Sequence, residues 1–263
     1  MVARVIVNGA LGRMGKEVIN AVTKEPDMEL AGAVDLKAQE TYLGRPDGSG
    51  TVPLSASLEE ILTNTKPDVL VDFTIAQAVM PTVRLAADKG VNLVIGTTGL
   101  AAADLAELQE LALSCGVGAV VAPNFALGAV LMMHLAKLAS RYFDYAEIIE
   151  LHHHLKADAP SGTALSTARA MAEARGKPFT VPGEKQFPSR GEVVGGVSVH
   201  SVRLPGLLAH QEVLFGGPGQ TLSIRHDTIS RECFMPGVIM AIKKVVGHRG
   251  LIYGLDALLG LKD

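Results

Sequence analysis

The stretch Arg4-Val5-Ile6-Val7-Asn8-Gly9-Ala10-Leu11-Gly12-Arg13-Met14-Gly15 decides the fold. It opens on a short apolar run, and its glycines recur at every third position. Lys16 to Val22 follows, with Met14, Val18, Ala21 and Val22 at helical spacing. The expected order is strand, glycine-rich turn, helix. The G-x-x-G-x-x-G spacing is a variant of the dinucleotide fingerprint, in which glycines allow a tight turn, close approach of the backbone to a pyrophosphate, and close packing of helix on strand. Ordinary strand-to-helix turns also contain glycines, so the context matters. The next apolar run, Leu30 to Val34, ends in Asp35, about 20 residues past Gly15, where a ribose-binding acid belongs. A solvated strand-end carboxylate is the plainer reading of Asp35, and its position favours the functional one.

Further alternating units follow. Pro67 to Thr74 reads as a strand with a polar end, Ala78 to Lys89 as a helix closed by Gly90, and Val91 to Ile95 as a strand ending in Gly96-Thr97-Thr98-Gly99. Helix Ala101 to Leu113 then leads to strand Val117 to Val121, which ends in Ala122-Pro123-Asn124-Phe125. Strands alternating with helices imply a parallel, Rossmann-like sheet with ligand groups at the carboxyl ends of its strands. Gly96, Thr97, Thr98 and Asn124 lie at such ends.

After a helix over Ala126 to Ala139 the pattern changes. Strand Tyr145 to Leu151, helix Ala164 to Ala174 and a loop rich in Gly and Pro from Gly176 to Gly196 come next. Three strands follow, Val197 to Leu204, His210 to Phe215 and Thr221 to His226, and their hairpin-like spacing predicts a mostly antiparallel sheet in a second, α+β domain. Both faces of Val197 to Val202 carry apolar residues, so this sheet must be covered by helices or pair with another subunit. Arg231 to Val246 returns to helical period, with Phe234, Val238, Ala241, Ile242 and Val245 on one stripe, and packs back on the first domain. The expected division is residues 1–124 with 235–263 as the α/β dinucleotide-binding domain, and residues 125–234 as the substrate-binding and oligomerisation domain.

The chemistry is expected in Glu150-Leu151-His152-His153-His154-Leu155-Lys156-Ala157-Asp158-Ala159-Pro160-Ser161-Gly162-Thr163-Ala164. Ser161-Gly162-Thr163 reads as a helix N-terminus, whose unpaired amides at Gly162 and Thr163 together with the helix dipole form an anion site. The three imidazoles and the Lys156 ammonium stand within a few residues of it. A solvated strand end, the commonest fate of a polar run, is one alternative; Lys156 and the helix start at Ser161 converging on one small volume favour the functional reading. A metal-binding histidine tract is the other. Neighbouring strand residues alternate faces, so at most His152 and His154 point the same way, and no Cys, Asp or Glu stands at a metal-ligand spacing. No metal is expected.

Composition narrows the ligand. With 263 residues and 48% hydrophobic content the chain can build one large or two moderate cores. A formal charge of −3 with no Lys/Arg stripe gives no electrostatic reason to expect nucleic acid, and 4% aromatics with no Trp leave no stacking platform for single strands. The longest apolar stretch, Ala126 to Met133, is too short for a bilayer, and no leader precedes the first strand, so a cytoplasmic protein is expected. Cys115 and Cys233 have no partner spacing and are expected to be reduced thiols packed as small hydrophobes.

The residues Val7 to Gly15, Gly96 to Gly99, Ala122 to Phe125 and above all Glu150 to Ala164 resemble, in order and over essentially the whole chain, the motifs of the 4-hydroxy-tetrahydrodipicolinate (dihydrodipicolinate) reductase family. The resemblance implies reduction, by NADH or NADPH, of a cyclic unsaturated dicarboxylate to tetrahydrodipicolinate in diaminopimelate and lysine synthesis. It implies that His152 donates or accepts a proton, that Lys156 is a second proton donor, and that His153, Gly162 and Thr163 bind the substrate. It assigns the cofactor to Gly9, Ala10, Leu11, Gly12, Arg13, Met14, Asp35, Gly96, Thr97, Thr98, Ala122, Pro123, Asn124 and Phe125, and it implies a homotetramer built through the second domain. One departure bears on cofactor choice. Some members place an Arg after the ribose-binding acid, whereas here Asp35 is followed by Leu36 and the nearest cation is Lys37. The competing readings are another Rossmann dehydrogenase acting on a small acid, and a non-catalytic nucleotide or metal sensor that uses the histidine run as a ligand.

Overall fold

A computed structural model of the chain describes residues 2–183 and 187–261. Two compact units emerge, Met1–Leu127 with Phe234–Asp263, and Gly128–Cys233. The first unit opens with β1 (Ala3–Asn8), α1 (Arg13–Lys24) and β2 (Met28–Val34), then a short hairpin of β3 (Tyr42–Gly44) and β4 (Thr51–Ser55). Helix α2 (Leu58–Thr65) leads to β5 (Val69–Asp72), α3 (Ala76–Asp88), β6 (Asn92–Ile95), α4 (Ala102–Ser114) and β7 (Gly118–Val121).

The second unit consists of α5 (Leu127–Ala139), β8 (Tyr145–His152), α6 (Gly162–Arg175), β9 (Glu192–Val194), β10 (Val197–Arg203), β11 (Ala209–Gly217) and β12 (Gln220–Thr228). The chain then re-enters the first unit through α7 (Met235–Val245), β13 (Gly250–Tyr253) and α8 (Leu255–Leu259).

The first sheet has the order β13-β7-β6-β5-β1-β2-β4-β3 and is parallel throughout except for the β3–β4 pair. Every residue of β5 and β7 is buried, so these strands are apolar without alternation up to Asp72, which closes β5. Residues of α2, α3 and α4 join one core cluster with Ile6, Leu70, Leu93 and Ile95, while α1 packs with α7. The strand order reverses between β1 and β5, the switch point at which open α/β sheets form their ligand crevice. Asn8 and Asp72 end those two strands.

In the second unit the sheet order is β12-β11-β8-β10-β9. Ala146 and Ile148 of β8, Val197 and Val199 of β10, and Val213 and Phe215 of β11 pack with Ala136 of α5 and with Ala164, Ala168 and Met171 of α6. Strand alternation turns Glu147, Ile149 and Leu151 to the opposite face.

Several expectations change here. The Pro205-Gly206 turn does not join neighbouring strands, because β8 lies between β10 and β11 and pairs with β10 in parallel. The sheet stays mostly antiparallel, but Val197 to His226 is not a three-stranded meander. The expected Gly176–Gly196 loop contains β9 and a short 3-10 turn over Pro188–Arg190, while its residues 184–186 lie outside the described ones. Cys115 is exposed rather than packed, because it caps the solvent-facing end of α4. Finally, β8 stops at His152 and residues 153–155 turn, so strand alternation does not reach His154, which is exposed.

Candidate active site

In the first unit, the glycine loop is shaped by contacts that only hydrogen at Cα allows. Gly9 has φ +79°, and a Cβ there would stand 2.6 Å from the Phe73 carbonyl oxygen. A Cβ on Gly15 would overlap the Gly9 carbonyl, so the first turn of α1 rests directly on the loop. Gly9 and Ala10 donate to the Val34 carbonyl at 2.9 and 3.1 Å, tying the loop to the end of β2. The Asp35 carboxylate accepts from the Leu11 amide at 2.9 Å and from the Lys37 amide at 2.9 Å. It therefore braces the loop as well as facing it. No side chain caps α1 at Gly12, which leaves first-turn amides for an anion.

Beneath the loop lies a buried polar cluster that the sequence reading passed over. Asp72 is fully buried and accepts from the Asn8 side-chain amide at 2.8 Å, the Thr97 hydroxyl at 2.7 Å, the Thr74 hydroxyl at 2.9 Å and the Thr74 amide at 3.1 Å. Thr97 is thus spent on holding strand ends together, whereas Thr98 is exposed. A Cβ on Gly96 would enter the Phe73 ring, whose centroid lies 6.0 Å from that of Phe125. Ala122 and Phe125 are buried and Pro123 is exposed. Asn124 accepts from the Ala126 amide at 2.9 Å, a turn bond of its own. Arg13 and Lys37 are exposed, and Met14 is half-buried.

In the second unit, β8, β10 and α6 converge on Glu150. This carboxylate is fully buried. Its Oε2 lies 2.5 Å from His152 Nδ1, Arg203 donates to Oε2 at 2.8 Å and to Oε1 at 2.7 Å, and the Ser161 amide donates to Oε1 at 3.2 Å. Burial alone would raise its pKa, but the bonds from His152 and Arg203 outweigh that and hold it at about 2 against an ordinary 4.5. The same bonds raise the Arg203 pKa. An ionised carboxylate only accepts, so His152 carries hydrogen on Nδ1 and presents Nε2. Its side chain is 15% exposed.

Around this core, Ser161 caps α6 through Ala164 at 3.2 Å. Among the described residues no hydrogen bond from the Gly162 or Thr163 amide is seen, the usual state of first-turn amides in a helix. A Cβ on Gly162 would meet nothing within 4 Å. The Lys156 ammonium is bound by both Asp158 oxygens, at 2.7 and 2.9 Å, which holds the Asp158 pKa below its ordinary value. The His153 carbonyl accepts from the Lys156 amide at 3.1 Å, closing the turn that carries both. The structure thus brings His152, Lys156, Gly162 and Thr163 to one end of the second unit's sheet. It adds Glu150 and Arg203, which sequence reasoning left without roles.

Comparison with known proteins fits this arrangement. Profiles described as "Dihydrodipicolinate reductase, N-terminus" and "Dihydrodipicolinate reductase, C-terminus" match residues 3–125 and 128–259. The chain belongs to the dihydrodipicolinate reductase family. A 4-hydroxy-tetrahydrodipicolinate reductase of Dehalococcoides mccartyi is 54% identical over 259 residues, 98% of either chain. One from Moorella thermoacetica is 50% identical over 97% of either chain. Among solved structures, the dipicolinate-bound dihydrodipicolinate reductase of Paenisporosarcina sp. TG-14 matches with a TM-score of 0.86 at 42% identity, over 97% of this chain and 99% of that one. An amine dehydrogenase of Mycobacterium smegmatis shares the fold, with a TM-score of 0.68 at 17% identity. Family membership carries the α/β class and the nicotinamide chemistry without deciding which side chain does what.

Proposed function

We propose that the chain is an NADH- or NADPH-dependent oxidoreductase that reduces 4-hydroxy-tetrahydrodipicolinate to tetrahydrodipicolinate on the diaminopimelate route to lysine. The observation that carries this reading is the pair of first-turn amides at the start of α6, set on the same turn system as the His152 imidazole and the Lys156 ammonium. Substrate and product differ by one hydroxyl group. A hydride and a proton therefore enter, and water leaves. A nicotinamide cofactor supplies the hydride when bound. The loop of Gly9, Ala10, Leu11, Gly12, Arg13 and Met14 fits a pyrophosphate, since its glycines let strand, loop and the first turn of α1 pack this closely and no side chain caps the α1 amides. Asp35 is assigned to the ribose, and Gly96, Thr97, Thr98, Ala122, Pro123, Asn124 and Phe125 to the rest of the nucleotide.

His152 is assigned the proton, which leaves from Nε2 because Glu150 retains the hydrogen on Nδ1. An imidazole suits proton exchange near neutrality. The Gly162 and Thr163 amides, with His153, receive the substrate carboxylates. Lys156 has a charge to offer the substrate and can exchange its Asp158 carboxylate for one on the ligand. The assay is oxidation of NADH or NADPH by the purified protein with 4-hydroxy-tetrahydrodipicolinate generated in situ, beside metal analysis. Stoichiometric bound metal without turnover would sink the reading.

Asp35 can accept from a ribose 2′-hydroxyl and would repel a 2′-phosphate, which Lys37 and Arg13 partly offset. Both nucleotides should serve, NADH at least as well as NADPH. We also assign a homotetramer held through the second unit's sheet, because Ile149, Leu151 and Leu214 stand half-buried on the face turned away from α6. Sedimentation as a monomer at assay concentration would contradict it. Among the described residues no helix is long and apolar enough to cross a membrane. The reaction's place in lysine synthesis favours the cytoplasm.

A further inference from the structure

Building on the reading of His152 as the acid, we propose that Glu150 is the positioning residue that fixes His152 in its proton-donating orientation, and that Arg203 moderates how strongly Glu150 acts on that ring. Glu150 and His152 are two residues apart on β8 and so share a face. The Glu150 carboxylate bonds the His152 Nδ1 directly, at 2.5 Å. The carboxylate has no freedom of its own: Arg203 of β10 takes both oxygens, the Ser161 amide of α6 takes one, and no part of it reaches solvent. Arg203 is anchored in turn to the Asp158 carbonyl at 2.7 Å. Strand, neighbouring strand and helix therefore meet on one group, bonded also by the Ser201 side chain of β10, and the proposed acid is among its partners.

During turnover the imidazolium gives its Nε2 proton to the substrate, while the Nδ1 hydrogen stays on the ring, bonded to Glu150. The ring becomes neutral and takes its next proton from solvent. A carboxylate beside Nδ1 favours the imidazolium, and Arg203 withdraws part of that influence by bonding the same oxygens. Glu150 and Arg203 consequently meet the His152 ring through one shared carboxylate, Arg203 bonding the oxygen that faces Nδ1 as well as the other. The other charged or titratable groups nearby are Lys156, Asp158 and His153 on the connecting turn. From β11 the in-register neighbour of Glu150 is the uncharged Gln211, beside which stands His226 of β12, whose pKa burial lowers.

The test is the pH dependence of kcat together with imidazole nitrogen NMR of His152 in the full chain, for Glu150→Gln, Glu150→Asp and Arg203→Met. Glu150→Gln should lower kcat about 100-fold or more, leave nucleotide affinity unchanged, and move the His152 titration to lower pH. Arg203→Met should move it to higher pH, and Glu150→Asp should recover part of the lost rate. Shifts of the same sign in the Gln and Met variants, or an unmoved titration, would overturn the proposal. If Glu150→Gln does not fold, Glu150→Asp and Arg203→Met decide alone, and an unshifted titration in both overturns it. His152→Gln separates the two levels. Retained kcat in that variant removes His152 as the acid, whereas lost kcat beside a normal Glu150→Gln removes only the positioning role.

Discussion

Asp72 and Glu150 are both fully buried carboxylates near the carboxyl ends of strands, one in each unit, and they are compensated in different ways. Asp72 takes its hydrogen bonds from an amide side chain, two hydroxyls and a backbone amide, all uncharged. Glu150 takes its bonds from a guanidinium, an imidazole, the Ser201 side chain and one amide. A carboxylate among neutral donors keeps one electrostatic state and serves as an anchor for loops. One bonded to a ring that gains and loses a proton is coupled to that exchange. On the proposed function, the first unit's carboxylate holds a shape and the second's helps hold a proton.

The strongest break of this contrast is kinetic. His152→Gln should lower kcat by about 10²- to 10⁴-fold while changing KM far less, whereas Asp72→Asn should leave kcat near that of the wild type. Steady-state rates at saturating nucleotide check both. Equal losses would mean that Asp72 serves the chemistry as directly as His152 does. Lys156→Ala should impair kcat and KM together, because its charge acts on bound substrate and on developing charge alike.

Acid unfolding sharpens the comparison next. The Glu150 pKa is depressed on folding, so its stabilisation is complete above the unfolded value of 4.5 and is lost as pH falls toward about 2. That window should contain roughly 3 kcal/mol from this one group. Glu150→Gln should flatten the wild-type slope between those limits, measured by denaturant unfolding at successive pH values. An unchanged slope would mean that Arg203 and His152 do not hold the carboxylate ionised.

Asp72→Asn should cost less, about 1–2 kcal/mol, because the Thr74 and Thr97 hydroxyls can rotate and accept from the new amide. Guanidinium hydrogens around Glu150 cannot reverse in this way. A thermal melt shows whether the loss is that small. The smallest effect concerns Asp35. Its bond to the Leu11 amide means that Asp35→Ala loosens the loop for either nucleotide, with NADH losing several-fold more through the ribose. An equal loss for both would confine Asp35 to bracing the loop.

What the sequence made legible followed from local chemistry. The glycines at 9, 12 and 15 are required where they stand by contacts within a few residues, so their spacing announces the loop. Ser161 caps a helix whose start could be read from Ser-Gly-Thr and whose end falls at Gly176, in the left-handed conformation. What stayed hidden was non-local. Glu150 was in plain view beside His152, but its role depends on Arg203, 53 residues away, across a parallel pairing that no turn announces. Pro205-Gly206 looked like a hairpin because a tight turn says nothing of the strand that slips between its arms. The hairpin of β3 and β4 went unseen because Tyr42-Leu43-Gly44 is short and mostly exposed, leaving almost no pattern to read.

The pairing of β10 with β8 has one more implication. Ser201 stands opposite Glu150 and Arg203 opposite His152, so the guanidinium reaches the carboxylate only when the two strands are in this register. A slip of one residue would turn Arg203 to the other face of the sheet. A molecule misassembled there could keep an intact nucleotide unit and still be dead as a catalyst. Specific activity after refolding would then report the fraction of chains with correctly aligned strands, while nucleotide binding would count those chains and the misaligned ones together.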